Sequence, residues 1–248
     1  MKRIFTITLI VVCNLISTIN LAQSSDTLLI EPGSEYLKSV TYVPYSNKWK
    51  VSFQNLEGKK SPNRIWTDYT QIIDLEEKTI LVRIQDLYSP SMKLQNTWIN
   101  RVEIPSLKPI QFSTGTPEGG FSFYQFDADK VNSITNSNNE NIVKSDTTYV
   151  DRILFDWNLY GILLVALPFE VNAYYKLPYF DTNTLTSKYL SVHIIGKETI
   201  TNLSSEKIET WKVKTSDNLE FWLIKEAPYV IKLELSIPDR GKLIWDSY

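Results

Sequence analysis

One imidazole and one thiol are all that the chain offers for conventional covalent catalysis: His193 and Cys13 are its only histidine and cysteine. A Ser-His-Asp mechanism would have to use His193, because the base must hydrogen-bond the nucleophile. No G-x-S-x-G elbow accompanies it. The plainer reading is a histidine on the less apolar face of a strand, beside Tyr189 and Ser191. A zinc site would have to be built almost wholly from carboxylates. "DADKVN" (Asp127 to Asn132) starts like a calcium loop but has Val131 at the fifth position and no glycine after it. Two solvated carboxylates at a strand end account for it better. Glycoside hydrolysis needs only a carboxylate pair, and Glu118, Asp127, Asp181 and Glu198 form no pair better than any other. "GTPEGG" (Gly115 to Gly120) holds three of the eight glycines. No Lys-Ser/Thr follows, so it is a turn and not a phosphate loop. The reading assigns no catalytic residue, no metal and no cofactor.

The surplus lies in aromatic surface. Seven tryptophans stand mostly in alternating runs, where Trp is more often core or a cross-strand partner than a ligand platform. Tyr189, His193, Trp211 and Trp222 are the candidate ligand contacts.

The elements that must position them begin after a targeting segment. Lys2 and Arg3 precede an apolar run from Ile4 to Ile19, and "NLAQSSD" follows with small Ala22 near the cut. That is the layout of a secretory signal peptide over residues 1–23, cleaved after Ala22 or Gln23. The run is shorter than the ~20 residues of a spanning helix, and Asn14 interrupts it, so no transmembrane span is expected. Cys13 follows Val12 and sits within the apolar run, which argues against a lipid anchor there. The mature chain then has no thiol and no disulfide, although it enters an oxidising space. Removing Lys2 and Arg3 from the 26 basic residues leaves 24 against 28 acidic ones, a net charge of −4. With no basic stripe, nucleic acid is not expected as a partner, and an anionic membrane surface is disfavoured.

Residues 24–248 read as one β-rich domain, with an internal boundary at 134–146 as the alternative, where "ITNSNNEN" is polar. "KWKVSFQNL" alternates around Trp49, Val51 and Phe53. Thr70 to Tyr88 reads as two strands around a "LEEKT" turn. "NTWINRVEI", "KPIQFSTG" and "FSFYQFDAD" continue the pattern, as do "EVNAYYKLPYF" up to Pro178 and Ser187 to Ile200. The run from Glu209 to Leu235 makes three more strands, and "GKLIWDSY" adds a final one. Short alternating runs with turn signals between them argue for an antiparallel meander. One stretch breaks the period. Val150, Ile153, Leu154, Trp157, Tyr160 and Leu164 recur at helical steps, with Asp146 or Thr148 as cap and Pro168 as the stop. The spacing predicts a central helix over about 147–167, buried at its apolar end around Leu164, with Asp156 nearer solvent. The fold class is mainly β: a curved antiparallel sheet, half-barrel or meander, plugged by that helix.

The last third resembles an exported bacterial family of unknown function. The residues that carry the resemblance run from "FDWNLYGILLVALPFEVNAYYKLPYFD" through "IIGKE" (Ile194 to Glu198) to "APYVIKLEL" (Ala227 to Leu235). It covers roughly residues 150–245 and implies no catalytic residues. It also implies a sheet similar to the curved half-barrels of periplasmic lipoprotein and lipid carriers.

Together these readings describe an exported protein of the periplasm or cell surface without catalysis. It would bind an apolar or amphipathic ligand, such as a lipid, or an envelope protein partner. A hydrolase of glycan or ester and a structural or adhesive β module stay open as alternatives. A polar carboxylate cleft, an apolar aromatic groove or a filled sheet would tell the three apart.

Overall fold

Alternation of apolar and polar side chains builds nearly everything. The structure is a computed structural model and describes residues 27–136 and 142–248; the expected signal peptide lies outside them. After β1 (Leu28–Leu29), eight strands follow one another as antiparallel neighbours: β2 (Ser46–Asn55), β3 (Arg64–Asp74), β4 (Thr79–Tyr88), β5 (Leu94–Ile104), β6 (Lys108–Gly115), β7 (Phe121–Phe126), β8 (Lys130–Asn136) and β9 (Val143–Tyr149). Then come β10 (Phe155–Asp156), a 3-10 turn at Trp157–Leu159 and the helix α1 (Tyr160–Val165). A second antiparallel series follows: β11 (Tyr174–Asp181), β12 (Thr186–Thr201), β13 (Lys207–Thr215), β14 (Leu219–Leu223), β15 (Val230–Ile237) and β16 (Gly241–Ser247). β16 pairs with β2 and welds the two series into one sheet. β1 and β10 pair in parallel with the outer edge of β11. Residues 137–141, inside the expected boundary segment, are not described; the strands that flank them, β8 and β9, pair with each other.

The sheet is open and curls until its arms meet through side chains. Phe180 stands on the face of β11 opposite Leu177, and Tyr124 and Phe126 of β7 pack on it at ring distances of 6.2 and 6.0 Å. Tyr124 Oη also donates to the Thr182 carbonyl at 3.4 Å. Inside the curl, Ile162 and Leu164 of α1 share one core with Leu177, Val192, Ile194, Val213 and Leu223, and all seven are wholly buried. Each such side chain contributes roughly 1.5–3 kcal/mol by leaving water.

The central helix is much shorter than the helical steps predict. Residues 143–149 are strand β9, and α1 spans only Tyr160–Val165, all buried from Gly161 on. Asp146 and Thr148 therefore cap nothing. Asp156 instead caps the 3-10 turn that leads into α1, its carboxylate accepting from the Asn158 amide at 3.0 Å. Asp156 is not near solvent: it is 1% exposed. Its position one turn before an apolar helix leaves no outward face. At the other end Lys225 Nζ donates to the carbonyls of Val165 and Leu167 at 2.6 and 2.8 Å, satisfying groups that a helix end leaves orphaned. Burial pushes the Lys225 pKa down to about 8. β11 also runs on past Pro178 to Asp181. Proline is tolerated there because its edge is paired in two pieces, by β1 at residues 175 and 176 and by β10 at 179 and 180.

Candidate functional site

Hairpin turns at 56–63, 89–93, 116–120 and 238–240 all fall at one end of the sheet, as the strand registers require. Near this end, between β2, β3, β4 and β16, the inward side chains leave a groove of about 330 Å³. Val51 and Phe53 of β2, Trp66 of β3, Leu87 of β4, and Leu243 and Trp245 of β16 form its walls. Trp66 is held from two sides. Its ring stacks on Trp98 with centroids 4.6 Å apart and planes 11° apart, and it meets Trp245 edge-on at 6.2 Å and 76°. Such pairs contribute about 0.5–1.5 kcal/mol beyond area burial, so the aromatic wall is preformed.

Two residues deeper on the same strand faces the chemistry changes. Asp68 follows Trp66, Gln85 precedes Leu87, and Asn100 follows Trp98; all three are buried. Arg83 donates from Nε and Nη2 to the two oxygens of Asp68 at 2.8 and 2.6 Å, and from Nη1 to the Asn158 carbonyl at 2.8 Å. Tyr45 Oη adds a bond to Asp68 at 3.0 Å. The Asn158 side chain meets those of Gln85 and Asn100 at 2.9 and 3.0 Å, and the Asn100 amide meets Asp156 Oδ2 at 2.5 Å. Burial raises the Asp156 pKa to about 6, against the pull of the Asn158 amide, Asn100 and Arg83. This layer joins β3, β4 and β5 to the start of α1. It lies next to the groove walls along the same strands, and its polar groups are mostly committed to one another.

The candidate contacts read from the sequence do not gather in this groove. Tyr189 is exposed on β12 under the cations of Lys176 and Arg152. His193, on the same face of that strand, stacks on Tyr174 at 4.2 Å. Burial and the nearby Lys214 lower its pKa. Trp222 is buried on the outer face of β14, between Lys212 and Lys232, and donates to Glu198 at 3.0 Å. Trp211 packs on Phe169 at 5.3 Å. Tyr189 and His193 thus share a surface, while Trp211 and Trp222 do not join them. Asp127 does end a strand as a turn residue, bonded by Asn132 at 3.2 Å. Among the described residues, no three His, Cys, Asp or Glu side chains are grouped to hold a metal. No described helix is long and apolar enough to cross a membrane.

A second depression, about 700 Å³ and more open, lies on β5 to β8 between Ile99, Phe121, Phe123 and Ile134. It is on the face opposite Trp98 and Asn100 and has no charged lining residue.

No curated protein matches the chain. Solved structures similar to it include the following two. One is a β-barrel-like protein of the domain of unknown function DUF1849 from Brucella abortus, 8% identical, covering 85% of this chain and 98% of its own, with a TM-score of 0.45. The other is a "putative lipoprotein" from Parabacteroides distasonis, 10% identical, covering 90% of this chain and 98% of its own, with a TM-score of 0.30. The model of the family described as "Protein of unknown function (DUF3108)" matches residues 70–243. That match runs from within β3 into β16, well over half of the chain, and the protein belongs to the DUF3108 family.

Proposed function

We propose that this is an exported, non-catalytic envelope protein that binds an apolar or amphipathic molecule in the groove walled by Trp66, Trp245, Phe53 and Leu243. The observation that carries the reading is the groove itself. Its size falls within the ~300–1,000 Å³ of small-molecule sites, and such sites are mostly apolar with few polar groups. Its aromatic wall is fixed before anything binds, which lowers the ordering cost of binding. The signal-peptide layout of the first residues supports an envelope location.

The test is extraction. Protein purified from its native envelope is extracted with organic solvent, and the extract is analysed by mass spectrometry. A co-purifying amphiphile is expected, retained by His193→Ala and lost from Trp66→Ala. An empty protein with hydrolytic turnover that disappears in His193→Ala would overturn the reading in favour of an enzyme.

A further inference from the structure

The groove has one charged lining residue, and it is a cation. Arg64 opens β3 at the rim, opposite Val51 in the β2–β3 register. It is exposed, and its side chain makes no ion pair or hydrogen bond with any described residue. The lining contains no carboxylate that could neutralise it. Ser61, the neighbouring hydroxyl, is already committed: it accepts from the Phe53 amide at 2.9 Å and donates to the Pro62 carbonyl at 3.3 Å. The charged pair farther along the same strands, Arg83 and Asp68, is closed on itself.

We propose that the occupant is an amphiphile with an anionic head, a carboxylate or phosphate, whose tail lies between Phe53, Leu87, Leu243, Trp66 and Trp245 and whose head pairs with Arg64. This rests on the binding reading above and adds the ligand's chemistry. The polarity runs the right way for it: a cation at the solvent end and apolar walls below. A guanidinium presents two parallel donors to a carboxylate or phosphate, so the head would be held in one geometry. A cationic amphiphile would meet Arg64 as a like charge. A sugar would find few free donors or acceptors along the walls.

Four probes separate the parts of this claim: dodecanoate, dodecyl phosphate, dodecanol and inorganic phosphate, each titrated into delipidated protein and followed by tryptophan fluorescence and calorimetry. Both anionic amphiphiles are expected to bind about 10-fold or more tightly than dodecanol, the scale of one charge-assisted hydrogen bond. Arg64→Gln should bring them to the level of dodecanol and leave dodecanol unchanged. Arg64→Lys, which keeps the charge and loses the fork, should fall between. Added salt should weaken the anions only. Equal binding of dodecanol and dodecanoate by the wild type would sink the role of Arg64 while the apolar groove stands. Inorganic phosphate binding as tightly as dodecyl phosphate would point to a free anion and overturn the amphiphile. Binding of none of the four would remove the groove reading and this inference together. Arg64 is exposed, so a urea midpoint within error of the wild type is expected for both variants and confirms that each is folded.

Discussion

Asn100 and Asp156 meet at 2.5 Å inside the curled sheet. The Asn100 amide donates to one oxygen of Asp156, and the Asn158 backbone N–H donates to the other at 3.0 Å. Turned so that its oxygen faces Trp66 Nε1 and Arg83 Nη2, each at 3.1 Å, the neighbouring Gln85 side chain satisfies two donors at once. Asp156 is thus a buried carboxyl held by amides on both oxygens.

Stability should therefore depend on Asp156. Burial lifts its folded pKa to about 6, above the ordinary value of 3.8. The unfolded chain ionises first, so the contribution is fully present below the ordinary value, falls as the pH rises, and is gone once the pH passes about 6. The difference corresponds to about 3 kcal/mol at most. The facing charges, Arg83 and its partner Asp68, form a closed ion pair and do not reverse the sign. Urea melts across this range check it: the difference between wild type and Asp156→Asn should shrink or change sign with rising pH. A difference that does not move with pH would contradict it.

Gly161 faces Val230 so closely that a Cβ would come within 2.5 Å of its Cγ2. Gly161→Ala should cost about 1–3 kcal/mol by overpacking. Val230→Ala in the same chain should recover much of that loss, so the two changes should not add. Additive losses in a double-mutant cycle would mean that this contact is not the cause.

Leu164 is wholly buried in α1. Leu164→Asp places an unpaired charge there and should destabilise by several kcal/mol, more than Asp156→Asn, which keeps shape and hydrogen-bonding groups. Denaturant midpoints compare them directly.

Asp68→Asn should be costly for a different reason. It leaves the Arg83 guanidinium, 5% exposed at its side chain, without its paired carboxylate. Breaking such a pair from one side costs about 3–5 kcal/mol. Replacing both, as Asp68→Leu with Arg83→Met, should recover stability relative to the single change. Melting temperatures of the three variants test this.

His193→Ala should leave ligand retention unchanged, since His193 stands on the outer face of β12 against Tyr174. Loss of the ligand in that variant would move the site to the Tyr189 surface.

Strands are legible wherever one phase of the alternation is apolar. The "LEEKT" turn falls between β3 and β4, and the run from Glu209 to Leu235 becomes β13, β14 and β15. In β4 the same rule misleads. Ile80, Val82 and Ile84 look like the buried phase, yet Arg83 and Gln85 share the inward phase with Leu81 and are 4% exposed each. Their partners, Asp68, Asn100 and Asn158, come from three other elements. No local pattern announces such a layer; polar residues in phase with Leu81 and Leu87 are its only trace. The helix is overread because Ile153 and Leu154, which precede β10, fall at helical steps from Tyr160 and Leu164, the two of that series that lie in α1. Trp66, Trp98 and Trp245 escape sequence reasoning because each sits in an ordinary strand, and only the β16–β2 join brings the last of them to the first.

That join also sets a timetable. β16 is synthesised after every other described strand, yet it stands between β15 and β2 in the middle of the sheet. Until it emerges, the early strands have an open edge at β2 and the late strands an open edge at β15, the kind of border that recruits any extended neighbour. The groove spans the same seam, with Trp66 on one side and Leu243 and Trp245 on the other. A nascent chain that lacks β16 therefore lacks the groove's wall of Leu243 and Trp245. The groove is complete only when β16 pairs with β2, and a chain cut short before Gly241 is expected to lack the groove and to leave both edges open.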